Sequence, residues 1–300
     1  MENFYLIDKP LKITSFDIIR DLRRKIKIKK MWHTWTLDPL ATGLVLVATG
    51  NYTKLIPYLE KDRKTYITTI RLNWTTPSFD LAEEIEFLSE EKQEYFKENL
   101  SEEKIEEVLK NNFTWIIGQT PPKFSAVKID WKRAYDLARK WKDFEIKSKK
   151  IEIFNINILN YNYPDLKVEI EVSAGTYIRS IARDLWEELK TWWYLVDLRR
   201  TKIAKLNLEQ SIKLEEINLN TNLDVKEIFD KRYFLEVDKN WNYNNWEINK
   251  QDFIRLNNWL ERLRKFNLEI NKNYFLYDWE KITNVVMFDW EKLIPIKKII

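Results

Sequence analysis

The sequence contains no cysteine, one histidine and only 4 glycines among 300 residues. The lack of cysteine excludes disulfides and thiolate metal sites, and a single histidine makes a zinc or iron centre an unfavourable interpretation. No stretch approaches the roughly 18 apolar residues of a membrane-spanning helix, and the chain opens on a strand-like run without a charged leader. We therefore expect a cytoplasmic protein without membrane contact, metal or cofactor.

Tryptophan is abundant where glycine is scarce, with 14 tryptophans in the chain. Glycine normally supplies about 7% of a globular protein. Trp279 and Trp290 each follow an aspartate between alternating apolar runs, where Asp-Gly is typical of a hairpin turn. Trp192 and Trp193 follow a predicted helix, where a glycine C-cap is expected. Tryptophan does not readily adopt the positive φ of such positions.

We hypothesise that the gene uses a code in which UGA means glycine and that it was translated here with UGA as tryptophan. Replacing all 14 tryptophans would raise the glycine count from 4 to 18, or 6% of the chain. The alternative is a truly tryptophan-rich protein. Peptide mass spectrometry of the native protein over positions 32 and 35 decides between them, since tryptophan found there ends the recoding hypothesis.

Charge is unevenly distributed although the net charge is only +4. Residues 1–30 carry nine Lys or Arg against four acids, and residues 123–150 carry ten against four. Residues 80–107 reverse this balance, with twelve acids against three bases. The asymmetry favours a protein with one face on a polyanion, although each run alone also fits an ordinary solvated surface.

Residues 31–43 are the stretch in which we expect the chemistry. They contain the single histidine, His33, and a carboxylate, Asp38, that precedes a proline and is therefore directed into a stiff extended or turn geometry. The continuous apolar run at residues 44–48 then predicts a buried strand. A simpler interpretation is that Asp38 only caps a turn and that His33 is an ordinary histidine.

The surrounding pattern predicts an α+β protein. Strands are expected at residues 4–7, 64–72 and 166–172, and a capping box at residues 14–17 predicts a helix whose apolar face includes Ile18 and Leu22. Short helices are expected at residues 52–59 and from Ser101, and a longer one after Gly175. We predict a catalytic domain over 1–230, a linker over 231–250 and a small β-rich domain over 251–300.

Several motifs, in order along residues 4–215, resemble those of the TruB-type tRNA pseudouridine synthases. The stretch from Trp32 to Gly43 is similar to the family motif G-H-T-G-T-L-D-P-x-A-T-G, with Trp32 and Trp35 in place of its first two glycines. The family's D-K-P-x-G-x-T-S motif is matched at residues 8–15, with Lys12 in place of glycine. Further blocks match at residues 119–139 (Q-x-P-P-x-x-S-A-x-K and G-x-R-A-Y-x-x-A-R), 175–185 (G-T-Y-I-R-S-x-A-R-D-L) and 195–201 (L-x-x-L-R-R-T).

The resemblance implies a pseudouridine synthase fold, with a mixed, mainly antiparallel sheet around an RNA cleft. It implies isomerisation of uridine 55 in the TΨC arm of tRNA, with no obligate protein partner. The implied catalytic residues are Asp38 as nucleophile, Arg179 as its ion-pair partner and Tyr66 as the aromatic that stacks on the target base. The implied substrate-binding residues are His33, Leu198, Tyr177, Lys9 and Lys54.

Several alternatives remain open from the residues themselves. Tyr66 also fits an ordinary core tyrosine on a strand. If Trp32 and Trp35 are genuine, two indoles beside Asp38 could fill the cleft, which favours a non-catalytic RNA-binding or tRNA-folding protein. A synthase acting on another RNA is a further possibility. Residues 251–300 fit either a PUA-like RNA-binding domain or a stabilising extension.

Overall fold

A computed structural model describes residues 2–59, 63–72, 74–76, 86–125, 127–129, 132–134, 137, 144–229, 234–236, 272–277, 282–288 and 293–299. The α-helices are α1 (Ser15–Ile26), α2 (Glu90–Asn99), α3 (Glu102–Asn112), α4 (Ile178–Leu189) and α5 (Val225–Ile228), and the 3₁₀ helices are Gly50–Tyr58, Leu208–Gln210 and Leu214–Glu216. Within these ranges, none of the helices is both long and apolar enough to cross a membrane.

The strands form one large sheet, a smaller C-terminal sheet and two short hairpins. In chain order they are β1 (Phe4–Lys9), β2 (Met31–Thr34), β3 (Thr42–Thr49), β4 (Lys64–Leu72), β5 (Trp74–Thr75), β6 (Glu86–Phe87), β7 (Trp115–Gln119), β8 (Lys128–Ile129), β9 (Lys132–Arg133), β10 (Lys149–Asn162), β11 (Asp165–Val172), β12 (Trp193–Ile203), β13 (Leu206–Asn207), β14 (Ile212–Lys213), β15 (Phe234–Glu236), β16 (Asn273–Tyr277), β17 (Ile282–Phe288) and β18 (Leu293–Lys298).

The large sheet runs in the order β14-β1-β3-β12-β4-β11-β10-β7, with β2 beside β3 and β13 beside β12. Most neighbours are antiparallel, but β1 pairs with β14 and β3 with β12 in parallel. Because side chains alternate between the two faces of a strand, β1 places Tyr5 and Ile7 in one core cluster and Phe4 and Leu6 in the other. The predicted α+β class with a mixed, mainly antiparallel sheet is confirmed.

Helix α1 begins as its sequence predicts. The Thr14 hydroxyl accepts a hydrogen bond from Asp17 N at 3.1 Å, and the Asp17 carboxylate accepts one from Thr14 N at 2.7 Å, which completes a capping box. The predicted apolar face is fully buried, including Ile18 and Leu22. The helix ends at Lys27, whose left-handed backbone has φ +58°, and this geometry turns the chain toward β2.

The C-terminal sheet, in the order β15-β16-β17-β18, packs on the face of the large sheet opposite α1. Phe275 and Val285 share a buried cluster with Phe4 and Leu46. The two antiparallel pairings match the predicted hairpin-like repeats, although the turns with Trp279 and Trp290 lie outside the described residues. Strand β15 lies inside the predicted linker, so this sheet begins earlier in the chain than we expected. Its PUA-like assignment stays a prediction.

Two tryptophans occupy the backbone region that favours glycine. Trp35 has φ +56° and Trp115 has φ +69°. The expectation for Trp192 and Trp193 was wrong, because the left-handed C-cap of α4 is Lys190, with φ +56°, and Trp193 opens β12. Trp193 is 1% exposed, and its Nε1 has no hydrogen-bond partner among the described residues. Replacing Trp193 by a smaller residue would remove this indole N–H, and the position would then contain no buried donor without a partner.

Replacing Trp115 by glycine is expected to raise the free energy of unfolding by about 1 kcal/mol. The left-handed backbone costs a side-chain-bearing residue about 1–2 kcal/mol, which exceeds the entropic cost of glycine at about 0.5–1 kcal/mol. Little packing is lost, because Trp115 is 77% exposed. Urea denaturation measures the change. The control is Ile116→Gly on the same strand, where φ is not positive, and it should destabilise; equal effects of the two changes would contradict the prediction.

Candidate active site

The loop that carries Asp38 is fixed on both sides by buried side chains. Ser15, at the start of α1, donates its hydroxyl to Leu37 O at 3.2 Å and accepts from Leu37 N at 2.9 Å. Lys9, at the end of β1, donates from Nζ to Pro39 O at 3.2 Å. Both are 1% exposed or less. Leu37 and Pro39, which flank Asp38, are therefore held by the last residue of β1 and the first residue of α1.

Lys9 also organises the segment to which it belongs. Its Nζ donates to Pro10 O at 3.0 Å and to Ile13 O at 2.8 Å. Lys12, in the place of a family glycine, has φ +66° and donates its backbone N–H to Pro39 O at 2.9 Å. Lysine at this position therefore retains the left-handed backbone that glycine favours. Burial lowers the pKa of Lys9 to about 8, against the opposing attraction of Asp38.

Arg179 reaches Asp38 from the first turn of α4. Its Nη2 lies 2.7 Å from Asp38 Oδ2, and its side chain is 6% exposed, whereas that of Asp38 is 42% exposed. Helix α4 forms because its apolar stripe is buried, with Ile181 and Leu185 each 1% exposed. Arg179 lies away from this stripe, in the wall of the site. The nearly buried guanidinium, a rigid fork of N–H donors, fixes the direction of the more exposed carboxylate.

Asp38 opens into a cavity of about 260 Å³. Binding pockets for small molecules generally span about 300–1,000 Å³, so this volume suits one planar ring of nucleobase size. The wall combines apolar and aromatic side chains from several elements with the Asp38–Arg179 pair, namely Trp35, Tyr66, Tyr177, Ile178 and Leu198. The cavity remains open although Trp35 lines it.

Two further cations line the cavity, and the sequence interpretation did not identify either as a site residue. Lys64, at the start of β4, is 5% exposed and lies 5.3 Å from the centre of the Trp35 ring. Arg200, on β12, is 1% exposed and donates from Nε to Leu44 O at 2.8 Å. Together with Arg179 they give the cavity wall three positively charged side chains, which favours an anionic ligand. The signal available in the sequence was position, because Lys64 lies close to Tyr66 on β4 and Arg200 lies close to Leu198 on β12.

Gly43, five residues after Asp38, lies where two strands approach closely. It is paired with Arg200 in the parallel contact of β3 and β12 and has φ +99°. A Cβ atom at this position would lie 2.2 Å from Arg200 O. Only glycine fits this approach, which explains the glycine that ends the Asp38 motif.

The predicted site residues divide into two groups. Asp38, Arg179, Tyr66, Tyr177 and Leu198 come together around the cavity. The other three do not line it, namely His33, Lys9 and Lys54.

His33 lies on β2, and Lys54 lies in the 3₁₀ helix Gly50–Tyr58. His33 stacks on Trp32, with ring centres 5.9 Å apart and planes 5° apart, and Trp32 is 55% exposed. Burial, and to a lesser extent the charge of Arg200, lowers the pKa of His33. Lys54 donates from Nζ to Lys298 O at 3.2 Å and to Ile299 O at 3.0 Å. Lys54 therefore joins the 3₁₀ helix to the end of the C-terminal sheet.

Comparison with known proteins places the chain in a family. A model described as the N-terminal domain of the TruB family of pseudouridylate synthases matches residues 23–178. The chain is 43% identical over 217 residues to a protein named tRNA pseudouridine synthase B from Parabacteroides distasonis, an alignment that covers 70% of this chain and 89% of that relative. The chain belongs to the TruB family of pseudouridylate synthases. A second relative of the same name, from Phocaeicola vulgatus, is 44% identical over 69% of this chain and 88% of its own length.

The fold also agrees with that of a solved structure. A chain in a structure titled "Structure of H/ACA RNP bound to a substrate RNA containing 2'-deoxyuridine" superimposes with a TM-score of 0.66 at 14% identity, covering 99% of this chain and 85% of that chain. The likeness therefore extends beyond the 70% of the chain aligned with the P. distasonis relative. In this TruB family member, the motif at residues 32–43 forms the loop that carries Asp38, and the motif at 175–185 forms the helix start that carries Arg179.

Proposed function

We propose that this chain converts uridine 55 in the TΨC arm of tRNA into pseudouridine, with Asp38 as the nucleophile on a base turned out of the RNA. The observation that carries the proposal is the 2.7 Å pair of Asp38 and the nearly buried Arg179 at the edge of a cavity of about 260 Å³. The family membership supplies the reaction class. We also expect the enzyme to act without an obligate protein partner.

The reaction is an isomerisation and conserves every atom of the nucleoside. The bond between uracil N1 and ribose C1′ breaks, the uracil turns, and a bond forms between its C5 and C1′. The proton at C5 leaves, and N1 gains one. An attacking carboxylate provides covalent catalysis, which divides one difficult step into two easier ones. Asp38 attacks as a carboxylate, and the guanidinium of Arg179 fixes the direction of that carboxylate.

The target base must leave its stack before Asp38 can reach it. Turning a base outward costs of the order of a few kcal/mol. Stacking on Tyr66, which is 7% exposed, and packing against Leu198 offset part of this cost. The cationic wall of Lys64 and Arg200 suits the adjoining phosphate backbone.

A non-catalytic RNA-binding or tRNA-folding role is the main alternative. It depends on the two indoles near Asp38 filling the cleft. Trp32 instead points outward with 55% exposure, and Trp35 lines a cavity that remains open. These positions favour a catalytic role.

The decisive experiment incubates the purified chain with an unmodified tRNA transcript that carries tritium at C5 of uridine. We expect tritium release, with pseudouridine found at position 55. A transcript with cytidine at position 55 is the matched control and should release none from that site. Release from other positions of the control transcript would point to a synthase with another target, and binding without release would favour the non-catalytic alternative.

The rate of this reaction should fall as the pH rises above about 8, the pKa of Lys9. Below that pH the ammonium offers three N–H donors to its three carbonyl partners. Above it the neutral amine offers two, so one contact with the loops beside Asp38 is lost. Single-turnover rates between pH 6.5 and 9.5 measure the effect. Lys9→Met should be slower and should lack the decline near pH 8; an unchanged alkaline decline in this variant would assign it to another group.

A further inference from the structure

Gln119, the last residue of β7, is fully buried and lies outside the cavity wall. Its side-chain amide forms two hydrogen bonds with the backbone of one residue, Tyr177. Tyr177 N donates to Gln119 Oε1 at 2.8 Å, and Gln119 Nε2 donates to Tyr177 O at 3.1 Å. The carboxamide therefore pairs with the Tyr177 backbone as a neighbouring strand would, because it accepts from the N–H and donates to the C=O of this one residue.

Tyr177 is the N-cap of α4, the residue immediately before the first helical residue. Its backbone is extended, with φ −102° and ψ 113°, and no side chain caps the helix there. Its carbonyl accepts from Ser180 N at 3.0 Å and Ile181 N at 3.2 Å, which are the first hydrogen bonds of the helix. Arg179 follows two residues later. The orientation of the Tyr177 backbone thus sets the direction from which both the Tyr177 ring and the Arg179 guanidinium enter the cavity.

The segment after Gln119 makes further contacts with the same turn of α4. Thr120 O accepts from Ser180 Oγ at 2.8 Å, and Phe124 O accepts from Arg179 Nη2 at 3.0 Å. Lys149, which pairs with Gln119 in the β7–β10 ladder, donates to Gly175 O and places Nζ 4.8 Å from the centre of the Tyr177 ring. Among these contacts, only the pairing of Gln119 with Tyr177 uses a donor and an acceptor of the same side chain.

We propose that Gln119 is a positioning residue that holds Tyr177 and Arg179 in the geometry that Asp38 requires. The role rests on the proposed pseudouridine synthase function. A displacement of about 1 Å in a catalytic group can lower a rate by about 100-fold. Gln119 does not touch the cavity, so its loss acts through α4 and leaves the RNA-contacting surface in place.

Two variants test this role by different means. Gln119→Ala removes both hydrogen bonds and should lower the single-turnover rate by about 10- to 100-fold, with the dissociation constant for tRNA changed by less than about threefold. Gln119→Glu has the same shape and, when ionised, still accepts from Tyr177 N but has no donor for Tyr177 O. When protonated, it regains that donor. Burial raises the pKa of such a carboxyl, so the rate relative to the unmodified chain should increase as the pH falls from 8 to 5.

The matched control is Gln93→Glu on α2, far along the chain from the site. Gln93 Nε2 also donates to a backbone carbonyl, Leu88 O, at 2.7 Å, so this variant loses the same kind of donor. Its rate relative to the unmodified chain should be constant over the same pH range. Lys149, which donates to Gly175 O, and Arg183 of α4, which donates to Thr120 O at 3.1 Å, are unchanged in all three variants, as is the Asp38–Arg179 pair.

The results separate this role from the proposed function. An active unmodified chain with an unchanged rate in Gln119→Ala overturns the positioning role alone. A folded Gln119→Glu variant whose relative rate does not vary with pH also overturns it, as does a parallel loss of rate and tRNA affinity in Gln119→Ala. An unmodified chain that forms no pseudouridine overturns the proposed function itself.

Discussion

Asp38→Asn should abolish conversion of uridine while leaving tRNA binding nearly intact. The carboxamide has the shape of the carboxylate but is not an effective nucleophile, so we expect a loss of at least about a thousandfold in single-turnover rate. The Asp38 side chain is 42% exposed at the edge of the cavity, so an uncharged isostere leaves room for the base. Tritium release measures the rate, and filter binding measures the affinity.

Asp21→Asn is the control for the loss of a carboxylate, because Asp21 lies on the outer face of α1 and forms an exposed pair with Arg24 at 3.5 Å. It should keep the full rate. The Asp38 variant also removes the 2.7 Å ion pair with the nearly buried Arg179, so its free energy of unfolding should be lower. A normal rate in Asp38→Asn would refute the nucleophile assignment. An equal loss of rate and affinity would make Asp38 a binding residue.

Gly43→Ala should destabilise the whole catalytic domain. The new Cβ would lie 2.2 Å from Arg200 O, on a backbone with φ +99°. Adding an unfavourable backbone region at about 1–3 kcal/mol to an overpacked contact at about 1–3 kcal/mol, we expect a loss of about 3 kcal/mol or more in the free energy of unfolding. Activity should fall as well, because Gly43 lies on β3 just after the Asp38 loop and pairs with Arg200, which lines the cavity.

The matched control for Gly43→Ala is Gly118→Ala, the same change at another strand glycine. A Cβ there would meet only the Ser148 hydroxyl at 3.3 Å, and φ is not positive. Its midpoint of urea denaturation should lie close to that of the unmodified chain. Equal stability of the two variants would contradict the close approach of β3 and β12 at Gly43.

The sequence predicted the fold best where local pattern and burial agree. The capping box of Thr14 and Asp17, the alternation in β11 and the apolar stripe of α4 each produce the expected element, because one face of each must be buried. The 3₁₀ form of Gly50–Tyr58 was not predicted, since a short apolar pattern does not distinguish it from an α-helix. The C-cap of α4 is Lys190 rather than Trp192 or Trp193, and Trp193 is the first residue of β12.

The residues of the candidate site were likewise predicted only in part. Motifs alone indicated Asp38, Arg179, Tyr66, Tyr177 and Leu198, which the fold gathers around one cavity. The motifs did not distinguish lysines whose side chains face a ligand from lysines whose side chains donate hydrogen bonds to backbone carbonyls. Lys9 and Lys54 donate to carbonyls that lie 30 and 244 residues away along the chain, and no local pattern reports such partners.

By itself, the sequence indicated the chemistry through its motifs, because the resemblance to the TruB-type synthases singled out Asp38 on a stiff Asp-Pro loop and Arg179 at a helix start. Only the tertiary structure decided which groups act together. The 2.7 Å contact of Asp38 and Arg179, the buried amide of Gln119 beneath Tyr177 and the glycine required at position 43 arise from strands distant in sequence. Distances across a sheet depend on strand order and register, and these are set by packing of the whole core.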